Sequence, residues 1–165
     1  DNNSNFVTSI SHTTRIPRPN EINGKDYYFV SKEEFDLLVK KNNFFEYAKI
    51  FDNYYGTSKS SINKITESGH NALFDIDWQG AEQLSSYKEL NLLKIFILPP
   101  SVEELEKRLI SRNQDDKEAI KRRLSSYSKD ILHSKNYDYV LVNDKVENCF
   151  KEIKKIILNH LKKKN

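Results

Sequence analysis

From residue 71 onwards, short apolar runs alternate with longer segments of helical period. The apolar runs predict strands over residues 71–77, 92–98 and 137–142. The segments of helical period predict helices over residues 79–90, 101–112, 117–133 and 146–161. Strands that alternate with helices pair in parallel, and the helices cover both faces of the sheet. The sequence therefore predicts an α/β fold with a parallel sheet flanked by helices.

Residues 5–57 have a different pattern, in which β-branched and aromatic runs are separated by turns. They predict strands over residues 5–14, 27–30, 44–51 and 53–57. The capping-box pattern Ser31–Glu34 predicts a helix between the second and third of these strands. Another helix is predicted over residues 60–68. We interpret the region as a β-rich lobe inserted into the α/β framework.

Length and composition exclude several classes of protein. The 165 residues fit one domain, and no apolar run approaches the roughly 20 residues of a membrane helix. The polar start predicts no signal peptide, and a single cysteine excludes an internal disulfide framework and fits a reducing compartment. Residues 151–165 carry six lysines and one glutamate. We interpret this stretch as a solvated helix face rather than a nucleic-acid or membrane surface.

Arginine is scarce and clustered in this chain, whereas lysine is abundant. Arg15 and Arg18 lie on either side of Pro17, a spacing that suits the clamping of one anionic group. A guanidinium group binds phosphate or carboxylate through two parallel hydrogen bonds, which an ammonium group cannot do. The alternative is a surface turn with incidental arginines.

The other four arginines lie in the predicted helices on either side of a polar loop. Arg108 and Arg112 share one helix face, and Arg112 and Arg123 converge if the loop folds over a site. Mobile arginines of this kind stabilise the charge of a transferring phosphoryl group. The alternative for Arg108 is an ion pair with Glu104.

Two acids, Asp75 and Asp77, lie at the end of the predicted strand 71–77. Carboxylates at this edge of a sheet hold a metal through water or accept hydrogen bonds from a ligand. The alternative is that the acid caps the next helix.

The four histidines are scattered and Cys149 lies on an apolar helix stripe, so we predict neither a protein-built metal site nor a nucleophilic triad.

Seven short segments occur in order along the chain. They are Ser9–Arg18, Gly24–Tyr27, Phe45–Ala48, Asn53–Thr57, Asp75–Gly80, Pro99–Ser101 and Arg108–Arg112. In combination they resemble the guanylate kinases, and the resemblance covers essentially the whole chain. It implies a P-loop-type core at about residues 71–111 and 134–165, an inserted GMP-binding lobe at about 10–70, and a helical lid with its following helix at about 112–133.

The resemblance also implies roles for individual residues on the GMP side. The GMP phosphate is expected to be held by Arg15, Arg18, Tyr27 and Tyr55. Guanine is expected to be read by Ser11, Glu46, Thr57 and Asp77. Glu46 suits this role chemically, because a carboxylate accepts hydrogen bonds from guanine N1–H and the exocyclic amine, a pair of donors that adenine lacks.

On the ATP side, the resemblance places Arg108 and Asn143 near ATP. Arg112 and Arg123 become the catalytic lid arginines at the transferring phosphoryl group, and lid closure excludes water. Asp75 is expected to support Mg²⁺, which arrives with ATP, through a water molecule.

The chain departs from the family pattern in two places. The family begins with a strand, a loop of pattern G-x-x-x-x-G-K-[ST] and a helix, and the 165 residues contain neither this motif nor a methionine. We expect an upstream segment of about 30–40 residues to supply the loop, and the kinase activity to depend on it. Residue 113 is Asn where the family's lid usually has Gly.

Two function classes fit this pattern. The first is a kinase that phosphorylates GMP with ATP, and the second is a guanylate-kinase-like scaffold domain that binds partner peptides without catalysis. The retained arginine clusters and acids favour the kinase. We therefore predict a cytoplasmic, monomeric enzyme with GMP, ATP and Mg²⁺ as its ligands, and with no nucleic-acid or membrane partner.

Overall fold

The structure is a computed structural model that describes residues 5–112, 114 and 116–162. The chain forms two compact units, Asp1–Leu90 and Asn91–Asn165. Within the described ranges, no helix has the length and apolar character needed to cross a membrane.

Residues 5–90, the described part of the first unit, form six strands and three helices. The elements are β1 (Phe6–Thr8), β2 (His12–Thr13), β3 (Tyr28–Phe29), α1 (Lys32–Lys40), β4 (Phe44–Ile50), β5 (Asn53–Ser58), α2 (Lys59–Glu67), β6 (Asn71–Leu73) and α3 (Trp78–Leu84). Strands β3, β2, β5 and β4 form one sheet in that order, and β1 pairs with β6 in parallel. This four-stranded sheet carries Glu46, Tyr55 and Thr57, which are discussed below.

Helix α1 begins where the capping-box pattern predicts. The Ser31 hydroxyl accepts from the Glu34 backbone N–H, and the Glu34 carboxylate accepts from the Ser31 N–H. The helix buries Phe35 completely, and its ring stacks on Phe44 with a centroid separation of 4.8 Å. This aromatic packing fixes α1 against the sheet.

Strand β4 is an edge strand whose outer side is covered by α3. The Gln83 side-chain amide accepts from the Tyr47 N–H at 3.1 Å and donates to the Tyr47 carbonyl at 2.7 Å. One turn earlier, Gln79 Nε2 lies 3.4 Å from the Lys49 carbonyl oxygen. Two glutamines of α3 therefore hold the helix along the strand.

Three predicted boundaries in the first unit are wrong. The predicted strand 5–14 is divided, because Phe6–Thr8 pairs with β6 whereas His12–Thr13 pairs with β3 and β5. Strand β6 ends at Leu73, so Asp75 and Asp77 lie beyond the strand. Helix α3 ends at Leu84 rather than residue 90, where the following serine hydroxyls bond back to helix carbonyls.

The second unit contains β7 (Ile95–Leu98), α4 (Val102–Arg112), α5 (Lys117–Asp130), a 3₁₀ helix (Ile131–Asn136), β8 (Tyr139–Val142) and α6 (Val146–Lys162). Strands β7 and β8 pair in parallel, with Ile95 opposite Tyr139. The prediction that both strands are buried is wrong: Ile97 is 48% exposed and Val142 is 53% exposed. The predicted helix 117–133 ends as α-helix at Asp130. Cys149 is buried in α6, as predicted.

Candidate functional site

A buried carboxylate lies at the centre of the site in the first unit. Glu46 on β4 is only 3% exposed and lies opposite Thr57 in the β4–β5 register. Hydrogen bonding from the side chain and the backbone of Thr57 favours the ionised form of Glu46. Burial raises the Glu46 pKa above its ordinary value, and the negative charge of Asp77 adds to that rise against these hydrogen bonds. A buried acid with hydrogen-bond capacity is suited to accept from a ligand's N–H groups.

Hydroxyl groups and a second acid surround Glu46. The Ser11 and Thr57 side-chain oxygens lie 3.2 Å apart, and Thr57 is fully buried. Asp77 caps α3, as its Oδ1 accepts from the Gly80 N–H at 3.0 Å and its Oδ2 from Gln79 Nε2 at 2.8 Å. The structure thus brings together Ser11, Glu46, Thr57 and Asp77, the four residues expected to read guanine, and Asp77 also has the alternative capping role.

Gly80 packs against the Glu46 carboxylate. A Cβ added at Gly80 would lie 2.5 Å from Glu46 Oε2, which is too close for two non-bonded atoms. Only glycine therefore leaves room for the carboxylate in this position. The sequence reasoning did not assign Gly80 a role of its own, although it lies inside the quoted segment Asp75–Gly80.

The arginine turn forms a second cluster in the same unit. The Arg15 guanidinium carbon lies 5.4 Å from the centre of the Tyr27 ring, and the Tyr27 and Tyr55 rings are 6.1 Å apart. Burial raises the Tyr27 pKa, and the charges of Tyr55 and Asp75 raise it further. Three of the four residues expected to hold the phosphate are thus close neighbours.

Glu21 connects the two arginines of this turn, and the sequence reasoning missed it. Its carboxylate bonds to Arg15 Nη2 at 2.8 Å and accepts from the Arg18 backbone N–H at 2.7 Å. An acid three residues after Arg18 is the signal that could have revealed it. The hydrogen bond from Arg15 lowers the Glu21 pKa, so the carboxylate stays charged.

Asp75 is exposed and acts on Tyr27 through its charge. Among residues 5–112, 114 and 116–162, no group of three or more His, Cys, Asp or Glu side chains is arranged to hold a metal ion. A single exposed carboxylate is nevertheless compatible with a magnesium ion that keeps most of its water and is bound chiefly by substrate phosphates.

In the second unit, Arg108 makes both the predicted ion pair and contacts with a loop. Its Nε donates to Glu104 at 2.9 Å, while Nη1 and Nη2 donate to the backbone carbonyls of Asn143 and Asp144 at 2.8 and 3.1 Å. The Asn143 Oδ1 atom is buried and accepts no hydrogen bond from the part of the chain that the structure describes. Arg108 therefore holds the backbone of the segment that presents Asn143.

The two expected lid arginines lie on different helices of the second unit. Arg112 is the last residue of α4, is exposed, and donates to Gln114 Oε1 at 3.0 Å. Arg123 is half-buried in α5. Asn113, the predicted departure from the family's lid, lies outside the described residues.

The fold is that of an α/β protein, and its first unit holds both a buried carboxylate and a turn with two arginines. The family model described as guanylate kinase matches residues 1–160. The chain is 48% identical over 161 residues to a guanylate kinase from Rickettsia bellii, which covers 98% of this chain and 84% of that protein. It is 49% identical over 158 residues to one from Haemophilus influenzae, with coverages of 95% and 76%.

The crystal structure of guanylate kinase from Anaplasma phagocytophilum has the same fold. It aligns with a TM-score of 0.80 and 37% identity, covering 94% of this chain and 76% of that one. The chain belongs to the guanylate kinase family. The resemblance drawn from seven short segments and the predicted fold class are both confirmed.

Proposed function

We propose that this protein transfers a phosphoryl group from ATP to GMP and releases GDP and ADP. The observation that supports it best is Glu46, a buried acid opposite the buried Thr57 on the neighbouring strand. The family membership gives the reaction class, and we propose that this pocket selects the base. Nothing in the comparisons favours the non-catalytic scaffold.

Guanine recognition rests on donors that adenine lacks. The ionised Glu46 carboxylate would accept from N1–H and the exocyclic amine, with Ser11, Thr57 and Asp77 completing the polar pocket. A buried acceptor left without a donor carries a large free-energy penalty. AMP would take water away from Glu46 without supplying these two donors, so the pocket discriminates by penalising the wrong base as well as by binding the right one.

The monophosphate is proposed to bind at the arginine turn. Arg15 and Arg18 supply charge, and the hydroxyls of Tyr27 and Tyr55 supply donors. The ring contacts around Arg15 hold its guanidinium plane before a ligand arrives. Preformed donors cost little rearrangement on binding.

For ATP, we propose that Asn143 offers its buried Oδ1 to the nucleotide while Arg108 fixes the backbone of that segment. Arg112 and Arg123 are proposed to stabilise charge on the transferring phosphoryl group, with residues 112–133 acting as the lid that excludes water. A kinase of this family works with a divalent metal and ATP. We propose Mg²⁺, supported through water by Asp75, which would neutralise phosphate charge.

The proposal also covers the cellular location, the oligomeric state and the partners of the protein. The protein is proposed to be a cytoplasmic monomer whose partners are the two nucleotides. The single, buried Cys149 fits a reducing compartment.

The test compares GMP with AMP in the natural full-length protein. Calorimetry and a coupled ADP assay should show GMP strongly preferred. Glu46→Gln should erode the ratio of kcat/KM for GMP over AMP, because an amide cannot accept from both guanine donors. Glu67→Gln, an exposed change at the end of α2, serves as the matched control. Equal use of GMP and AMP by the wild type, or an unchanged ratio in Glu46→Gln, would contradict the proposal.

A further inference from the structure

We infer that Glu21 is a positioning residue for the phosphate-binding arginines, and that it orients them for a phosphomonoester. The inference rests on the proposed function, because it concerns the same GMP site. Glu21 itself carries negative charge and is not proposed to touch the phosphate. It acts through Arg15 and Arg18.

Three hydrogen bonds make Glu21 the link that closes the turn. Its two carboxylate oxygens bind different groups, Arg15 Nη2 at 2.8 Å and the Arg18 N–H at 2.7 Å. Its own backbone N–H donates to the Arg18 carbonyl at 3.1 Å. Asn20 adopts a left-handed conformation with φ of 73°, which returns the chain so that Glu21 faces back onto the arginines. One side chain therefore sets both the direction of a guanidinium and the backbone from which the second arginine projects.

The Arg15 guanidinium is oriented by hydrogen bonds that do not engage all of its N–H donors. Nη1 donates to the Ile16 carbonyl at 2.9 Å and Nη2 to Glu21. The rings of Tyr27 and Phe29 lie 5.4 and 5.9 Å from its central carbon. A guanidinium has five N–H donors, so two bonds orient it while leaving capacity for a ligand. The Arg15 and Glu21 side chains are only 15% and 18% exposed, so water competes weakly for the pair.

A role of Glu21 through charge alone and a role in positioning predict opposite effects on anion binding when Glu21 is removed. If the acid acted only by its charge, removing it would strengthen the binding of an anion. If it positions the arginines, removing it weakens binding, because the preorganised geometry is lost. Glu21 contacts both Arg15 and Arg18, and this favours the positioning role over the charge effect. A glutamine keeps the shape but has a single acceptor oxygen, so either Arg15 Nη2 or the Arg18 N–H meets an NH₂ group instead.

The experiment measures GMP and guanosine binding by calorimetry at pH 7.5 in the full-length protein. Glu21→Gln should weaken GMP binding at least tenfold and leave guanosine binding within twofold, because guanosine lacks the phosphate. Glu67→Gln should change neither. A merely structural role would weaken both ligands together.

Three outcomes overturn the inference. GMP binding by Glu21→Gln that is unchanged or tighter than in the wild type would do so, as would an equal loss for guanosine. If the wild type binds GMP no better than guanosine, the proposed function fails as well, and this result is distinct from the other two. If Glu21→Gln does not fold, Glu21→Asp replaces it. The shorter acid cannot reach both partners, so the same loss confined to GMP is expected.

Discussion

Gly80→Ala should damage base recognition through a single methyl group. The new Cβ would lie 2.5 Å from Glu46 Oε2 and 3.1 Å from Glu46 Cδ, and only 3.3 Å from Ile76 Cβ on its other side. Favourable carbon contacts begin near about 3.5 Å, so the carboxylate must withdraw by about 1 Å. Hydrogen bonds span about 2.7–3.2 Å, and a shift of this size takes at least one guanine contact out of range.

The expected loss follows from the strength of charged hydrogen bonds. Such a bond contributes about 1.5–3 kcal/mol, which corresponds to roughly 10- to 150-fold in affinity. Calorimetry on Gly80→Ala should therefore show GMP binding weakened by about that factor. AMP binding should change little, because adenine makes no paired contact with Glu46.

Gly69→Ala is the matched control for this prediction. Gly69 has a left-handed φ of 78°, and a Cβ there meets nothing within 4 Å. The substitution should destabilise the fold by about 1 kcal/mol and leave GMP affinity alone. GMP affinity within twofold of wild type in Gly80→Ala would refute the reasoning, and so would an equal loss for GMP and AMP.

Three further predictions concern other parts of the site. Arg18→Lys should weaken GMP binding by about 1–3 kcal/mol in calorimetry, because a forked contact becomes a point contact; unchanged affinity would remove Arg18 from the phosphate site. Arg112→Ala and Arg123→Ala should each lower kcat far more than they raise the KM for GMP, and a raised KM with normal kcat would make them simple binding residues. Burial lowers the His12 pKa, so the folded state binds a proton less readily than the unfolded chain. The contribution of His12 to the free energy of unfolding should stay constant above about pH 6.5 and fall as the pH drops below it. Urea unfolding at pH 8 and pH 5 should show a smaller fall in His12→Phe, and an equal fall in both proteins would contradict this account.

Features that depend on neighbouring residues were predictable from the sequence. The start of α1 follows from Ser31 and Glu34, which bond to each other's backbone across three residues. The burial of Cys149 follows from the apolar stripe of α6. Such features need only the local period and the local donors.

Features that depend on distant residues were not predictable from a local pattern. Nothing within residues 5–14 says that its two halves pair with different strands, since the partners lie about 15 to 65 residues away. The role of Gly80 depends on a carboxylate 34 positions earlier in the chain. The pairing of Glu21 with Arg15 needs the left-handed turn at Asn20, which no periodicity signals. The resemblance supplied Glu46, where local patterns alone would have left an ordinary strand residue.

The two glutamines of α3 also have a consequence for self-association. An edge strand offers unpaired N–H and C=O groups on which a strand from another molecule can add, and this is a common route to aggregation. On β4, Gln83 occupies both polar backbone groups of Tyr47, and Gln79 covers the Lys49 carbonyl. An incoming strand would have to displace the whole helix to find a hydrogen-bond partner there. The strand that carries Glu46 is thereby shielded from intermolecular β-pairing along its outer edge.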